Sequence, residues 1–216
     1  MRVIVFDTET TGLPKKRKAS PENSELWPYV CQISWLVYDD KTEEMCTKDY
    51  IIRLPDGVTI PEECSNIHGI TNEIMLDKGI DIDWVLNEFT RDWMKCNILI
   101  AHNFDFDNKV LQAEYCRNKM INWLGRHRKI EYCTMLYGKK FTNILRKSKF
   151  NNGYYKKPPK LIELHKELFN TTPGNLHNSL IDVIVCFRCF VKMVYNKDLF
   201  SLKNDTITKY RELCLL

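Results

Sequence analysis

The sequence predicts an α/β protein, a mixed β-sheet flanked by α-helices. Three observations carry this. Short apolar runs bounded by turn residues crowd the first 54 positions. Helix-period apolar spacing takes over from Ile82. Strand-like and helix-like runs then alternate from Asn97 onward, giving the order β-β-β-α-β-α-(β)-α-α. The first three strands are expected to be antiparallel and the later ones parallel.

Residues 2–7 form a short apolar run and predict a buried strand. Gly12 and Pro14 open a polar loop that reaches about Pro28. Val30 to Tyr38 and Met45 to Leu54 predict two more strands, joined by the turn-like Asp39-Asp40-Lys41-Thr42. Pro55 to Gly69 reads as a loop, and Thr71 as the cap of a short helix. Ile82, Val85, Leu86, Phe89 and Trp93 share one helical face, so Ile82 to Met94 is a helix. Asn97 to Ala101 is a strand, Asp105 to Asn118 a helix with Asp105 as its cap, and Ile130 to Tyr132 a strand. Met135 to Leu145 is expected to be helical, followed by a basic loop that breaks at Pro158-Pro159. Helices follow at Leu161 to Phe169 and at about Ser179 to Tyr195, with a short helical tail from Leu199.

The chain of 216 residues suits one domain over 1–216, its core within about 1–195 and the tail packed on it. Hydrophobic residues make up 44% and charged residues 28%, which fits a globular class and not a disordered one. Asp7 and Glu9 interrupt the N-terminal apolar run well short of a signal-peptide core. No run approaches the roughly 18 apolar residues of a membrane span. Nine scattered cysteines match no disulfide framework. The expected location is intracellular, cytoplasmic or nuclear, in a reducing compartment. Cys186 and Cys189 form a lone C-x-x-C pair with no second pair to complete a zinc site, so they read as core thiols.

The net charge of +4 is unevenly spread. Lys139 to Lys160 holds eight Lys or Arg and no acid, and Lys15-Lys16-Arg17-Lys18 adds four more, leaving the rest of the chain net acidic. Phe141, Phe150, Tyr154 and Tyr155 lie among the basic residues of 139–160, where rings can stack on bases. That pattern suits a polyanion such as nucleic acid. Either basic run, taken alone, is also what a solvated loop looks like, and the KKRK run is equally a nuclear-localisation pattern.

Acids placed against apolar runs are the next signal, because charge is expensive to bury unless paired or metal-bound. Asp7 and Glu9 sit two apart at the end of the first strand and project from one face. Gly12 permits close backbone approach to a ligand, and Leu13 offers an apolar wedge. His102 and Asn103 follow a buried strand at a helix start, where they can orient a phosphate or sugar, and Asp107 falls in the first turn or so. His177 and Asp182, five apart, would lie about 140° apart on one helix. They converge only if His177 stands in the loop after Pro173-Gly174 and Asp182 on the helix. Carboxylates from three distant segments point to a divalent-cation site.

Asp7-x-Glu9, His102-Asn103-x-x-Phe106-Asp107 and His177-x-x-x-x-Asp182, in that order, resemble the three motifs of the DEDDh-type 3′–5′ exonucleases. That family includes proofreading subunits of bacterial replicative polymerases and RNA-trimming enzymes of the RNase T kind. The resemblance covers residues 1–195, and Ile67-His68-Gly69-Ile70-Thr71 resembles the family's loop after its third strand. Ser179 stands where many relatives carry alanine. Trp27 to Tyr38 and Leu176 to Phe190 look most similar to members carried by large DNA viruses.

The resemblance implies an RNase H-like fold and assigns Asp7, Glu9, Asp107 and Asp182 as ligands of two Mg2+ or Mn2+ ions. It implies His177 as the general base and nucleoside 5′-monophosphates as products from nucleic-acid 3′ ends, DNA or RNA. Thr10, Gly12, Leu13, His68, His102 and Asn103 are the expected substrate contacts, and a polymerase is an expected partner. His68 reads equally well as a residue that holds its own loop together. Two rivals stand beside this expectation: a non-catalytic member of the same fold that binds nucleic acid or a polymerase, and a protein-interaction module docking through the basic runs.

Overall fold

A computed structural model describes the chain apart from residues 17, 150–151, 202–204 and 216, and the side chain of 205. Arg17 and Phe150, named above among the basic and aromatic residues, lie outside the described residues. Five strands form the main sheet: β1 (Arg2–Thr10), β2 (Val30–Asp39), β3 (Glu44–Ile51), β4 (Ile98–Ala101) and β5 (Ile130–Cys133). Their order is β3-β2-β1-β4-β5. β1 runs antiparallel to β2, and β2 to β3, while β1–β4 and β4–β5 are parallel. This is the expected mixed sheet.

β1 lies at the centre because both of its faces are apolar, as a strand covered on both sides must be. Ile4 and Phe6 point toward α3 (Ile82–Trp93) and α4 (Phe104–Arg117), where the Phe6 ring meets Phe89 at 5.4 Å and Phe104 at 5.6 Å, centroid to centroid, edge to face. Val3 and Val5 point the other way, into a core shared with α6 (Leu161–Phe169), α7 (Ser179–Tyr195) and α8 (Asp205–Leu213). The period of two then continues past Phe6, which sends Thr8 to the α4 side and Asp7 and Glu9 to the α7 side.

Four elements depart from expectation. β1 extends to Thr10, because Asp7, Thr8 and Glu9 pair with Ser34, Ile33 and Gln32 of β2 before a register shift at Glu9/Thr10. The stretch read as a loop before Gly69 contains α1 (Glu62–His68), which starts after Pro61, carries Glu62 and Glu63 in its first turn and ends on Gly69 at φ +76°. The helix expected from Met135 to Leu145 is only α5 (Thr134–Gly138). Gly138 lies so close to α6 that an added Cβ would stand 3.0 Å from the Leu164 side chain. The basic loop beyond it holds an antiparallel hairpin, β6 (Leu145–Lys147) with β7 (Tyr154–Lys156). The remaining helix, α2 (Asn72–Lys78), is capped by Thr71, whose hydroxyl accepts from the Ile74 amide.

Cys186 and Cys189 are buried in the core of α7, and all nine cysteines are free thiols. Among the described residues no helix is long and apolar enough to cross a membrane.

Candidate active site

Asp7 and Glu9 leave the C-terminal part of β1 on the face covered by α7, and the first turn of α7 supplies Asp182 opposite them. One carboxylate oxygen from each of Asp7, Glu9 and Asp182 lies within 4.8 Å of the other two. One hydrogen bond ties α7 to β1 here and a second caps the helix. Ser179 Oγ donates to the Asp7 carbonyl at 2.8 Å, and the Asn178 side chain caps the helix by accepting from the Ile181 amide.

Asp107 approaches from the other side of β1, in the first turn of α4 and buried. Its Oδ1 accepts from both the backbone amide of Thr8 (3.1 Å) and the Thr8 hydroxyl (2.8 Å), which leaves Oδ2 for other partners. Asp105, expected to cap α4, does not. Asn103 holds the N-cap position at φ +76°, and Asp105 is exposed and paired with Lys109 at 2.8 Å one turn on.

Burial and mutual repulsion push every acid of the group upward. Glu9 rises to about 8, through burial first and then the charges of Asp182 and Asp107. Asp107 and Asp182 rise to about 7, both chiefly through burial; the Thr8 hydrogen bonds oppose the rise at Asp107, and the His177 amide opposes it at Asp182. Asp7 is raised well above the ordinary carboxylate range by burial and by Asp107, Asp182 and Glu9. Four acids raised in this way fit hard divalent cations, which take oxygen ligands and offset the mutual repulsion. Among the described residues no thiol or imidazole joins the converging trio.

His177 stands in the loop before α7, exposed, at φ +68°. Its backbone amide, not its ring, donates to Asp182 Oδ2 at 3.3 Å. This is the arrangement their spacing required, with the histidine in the loop and the acid on the helix. At the other lip, Thr10 Oγ1 donates to the Gly12 carbonyl at 2.8 Å, Gly12 adopts φ +145°, and Leu13 projects into solvent with 80% of its surface exposed. The exposed Asn103 side chain makes no capping bond.

Two expected substrate contacts are differently engaged. His68 is buried; its Nδ1 accepts from the Ile70 amide at 3.1 Å, its Nε2 lies 3.6 Å from Cys31 Sγ, and it bonds the Thr10 backbone, so it supports the lip from beneath. His102 has both ring nitrogens committed, Nδ1 to Thr134 Oγ1 (2.9 Å) and Nε2 to the Pro159 carbonyl (3.2 Å), leaving none for a phosphate. Thr8 and Ser179, which hold Asp107 and Asp7 in place, were not singled out for that task by the motifs. Thr8 carries the available signal, a hydroxyl between two acids on a strand.

The α/β fold thus gathers carboxylates at the end of its central strand. The chain belongs to the exonuclease family described as RNase T, whose pattern matches residues 4–190. It is 25% identical over 214 residues to DNA polymerase III subunit epsilon of Buchnera aphidicola subsp. Acyrthosiphon pisum, covering 98% of this chain and 79% of that one. The epsilon subunit of Treponema pallidum is 31% identical over 109 residues, half of this chain and 44% of that subunit. Among solved structures, exonuclease I superposes with a TM-score of 0.65 at 16% identity, over 96% of this chain. The zinc-bound form of E. coli exonuclease I with single-stranded DNA matches with the same TM-score and identity. This chain spans under half the length of exonuclease I, 45% and 44% in the two cases.

Proposed function

We propose that the protein is a metal-dependent 3′–5′ exonuclease that releases nucleoside 5′-monophosphates from nucleic-acid 3′ ends. One observation carries the reading: the Asp7, Glu9 and Asp182 oxygens converge within 4.8 Å. Asp7, Glu9, Asp107 and Asp182 would hold two Mg2+ or Mn2+ ions, with Asp107 contributing its Oδ2. When bound, such a pair neutralises the acids, acidifies the attacking water and stabilises the departing 3′ oxygen. Thr8 fixes the Asp107 carboxylate against rotation, and Ser179 fixes the backbone beneath Asp7. An imidazole nitrogen of His177 takes the proton from the attacking water, since the exposed loop gives the ring access.

Thr10, Gly12 and Leu13 receive the terminal nucleotide, with Leu13 wedged against its base and the Gly12 backbone close to its sugar. Asn103, exposed at the start of α4, is a further proposed contact to the substrate. Kinship with polymerase III epsilon subunits makes a polymerase the proposed partner and proofreading the proposed role.

The test is incubation of 5′-labelled DNA and RNA oligonucleotides with the protein in Mg2+, Mn2+ or EDTA. The expected result is a ladder shortening from the 3′ end in metal and an intact strand in EDTA, with a folded Asp7→Asn variant inactive. Internal fragments, or undiminished cleavage by Asp7→Asn, would overturn the reading.

A further inference from the structure

Two residues that bracket most of the basic segment 139–160, Thr134 and Pro159, are both bonded to His102. Pro159 O accepts only, so His102 Nε2 carries the proton and donates to it, and Nδ1 accepts from the Thr134 hydroxyl. Thr134 opens α5, just before the segment, and Pro159 nearly closes it. His102 immediately precedes Asn103 and α4, which bears Asp107. The segment that carries the hairpin is therefore tied to the turn that leads into α4, the helix bearing Asp107.

Its register sorts the side chains. Lys147 pairs with Tyr154 and Leu145 with Lys156, so these four share one face of the ribbon, while Arg146 and Tyr155 share the other. Tyr154 is 68% exposed and Leu145 59%, in a ribbon too short to bury either. The segment contains no acid, and among the described residues Lys157 alone of its cations has an ion-pair partner, Glu163 at 2.9 Å. An exposed ring between two ammonium groups matches a single nucleic-acid strand: a base for the ring and phosphates for the lysines.

We infer that the β6–β7 ribbon is a second nucleic-acid contact, with Tyr154 stacking on a base and Lys147 and Lys156 holding phosphates of the strand whose 3′ end occupies the carboxylate site. This deepens the exonuclease reading and rests on it. The ribbon tethers the body of the strand, so its contribution grows with strand length and vanishes for a dinucleotide too short to reach it.

The test compares the parent with a Lys147→Ala/Tyr154→Ala/Lys156→Ala variant, in which residues 147 and 154 are exposed and 156 is half-buried, and whose thermal transition is checked first. Fluorescence anisotropy in Ca2+ measures binding of single strands of about 20 nucleotides, DNA and RNA in separate arms; the expected loss is at least about tenfold. The slope of log affinity against log salt is expected to fall by about 1.4, two phosphates' worth for a single strand. In Mg2+, KM for the long strand rises more than kcat changes. Unaltered binding and an unaltered salt slope overturn the inference, whatever the enzyme does. An intact strand with the parent in every metal buffer, by contrast, sinks the exonuclease reading.

Discussion

Thr8 and Asp107 are joined twice: the Thr8 amide and hydroxyl both donate to the same carboxylate oxygen, at 3.1 and 2.8 Å. Both bonds favour the ionised acid against the burial that raises it. A threonine on the strand thus sets the orientation and the charge of an acid that lies 99 positions further along the chain.

Thr8→Val keeps the shape and removes the hydroxyl donor. The buried carboxylate then keeps one partner, and the loss should destabilise the fold by about 1–3 kcal/mol. Because outer partners orient metal ligands, Mn2+ affinity or turnover should fall by about 10- to 100-fold. Titration calorimetry and hydrolysis rates check this, and Thr8→Ser should recover most of both. Equal metal affinity in Thr8→Val would remove Thr8 from the site.

Stability of the metal-free protein should fall as pH rises through neutrality. The folded state holds Glu9 up to about 8 and Asp107 and Asp182 up to about 7, whereas unfolded carboxyls titrate at about 4. Between those limits the folded state binds more protons, so unfolding free energy declines with pH. The lowered histidines, with His102 and His165 at about 4, act in the opposite sense, but only below their unfolded value of about 6.5. From about pH 6.5 to 8 the acids stand alone. In EDTA, the melting temperature should drop across that window. Saturating Mg2+ should abolish the drop by taking the place of the protons, and Asp7→Asn should reduce it. A flat EDTA profile would contradict the mutual repulsion of these acids.

Much of this arrangement was legible from residue order. Asp7 and Glu9 two apart on a strand, and Asp182 five after a loop histidine, oblige the chain to bring acids together if those elements meet. Helices α6 and α7 were readable to the residue because their apolar spacing is regular and their flanks carry Pro, Gly and Asn. The ribbon at 145–156 was hidden: its strands are three residues long, and their pairing depends on a contact between segments that no local period records. The commitment of His102 was equally hidden, since a histidine beside a motif looks the same whether its nitrogens face a ligand or a distant carbonyl such as that of Pro159.

His177→Ala should lower kcat by about 10^2- to 10^4-fold, the ordinary contribution of a positioned base. Metal affinity should survive, because the Asp182 carboxylate is held by the backbone amide of residue 177, which alanine retains. The φ of +68° makes alanine a strained replacement, so His177→Asn, better suited to that conformation, serves as the second variant. Turnover and Mn2+ titration together decide. A matching loss of metal affinity in both variants would make the imidazole a ligand and not a base.

His102→Ala separates fastening from catalysis. The imidazole joins Thr134 to Pro159 with both nitrogens, and burial holds it neutral, with its pKa down at about 4, so no ionic contact to a phosphate is lost with it. Removing the ring leaves the Thr134 hydroxyl and the Pro159 carbonyl without that partner and unties the chain just after the ribbon from the start of α5. The fold should lose about 1–3 kcal/mol. Limited proteolysis should shift toward cleavage within 139–160, where lysines are dense. Mn2+ binding should change little, because Asp107 is held by Thr8 and not by His102. Binding of a long single strand should weaken as the ribbon loses its fixed placement. If long-strand binding and protease sensitivity both stay at parental values while turnover collapses, His102 touches the substrate directly, and the ribbon does not depend on it for placement.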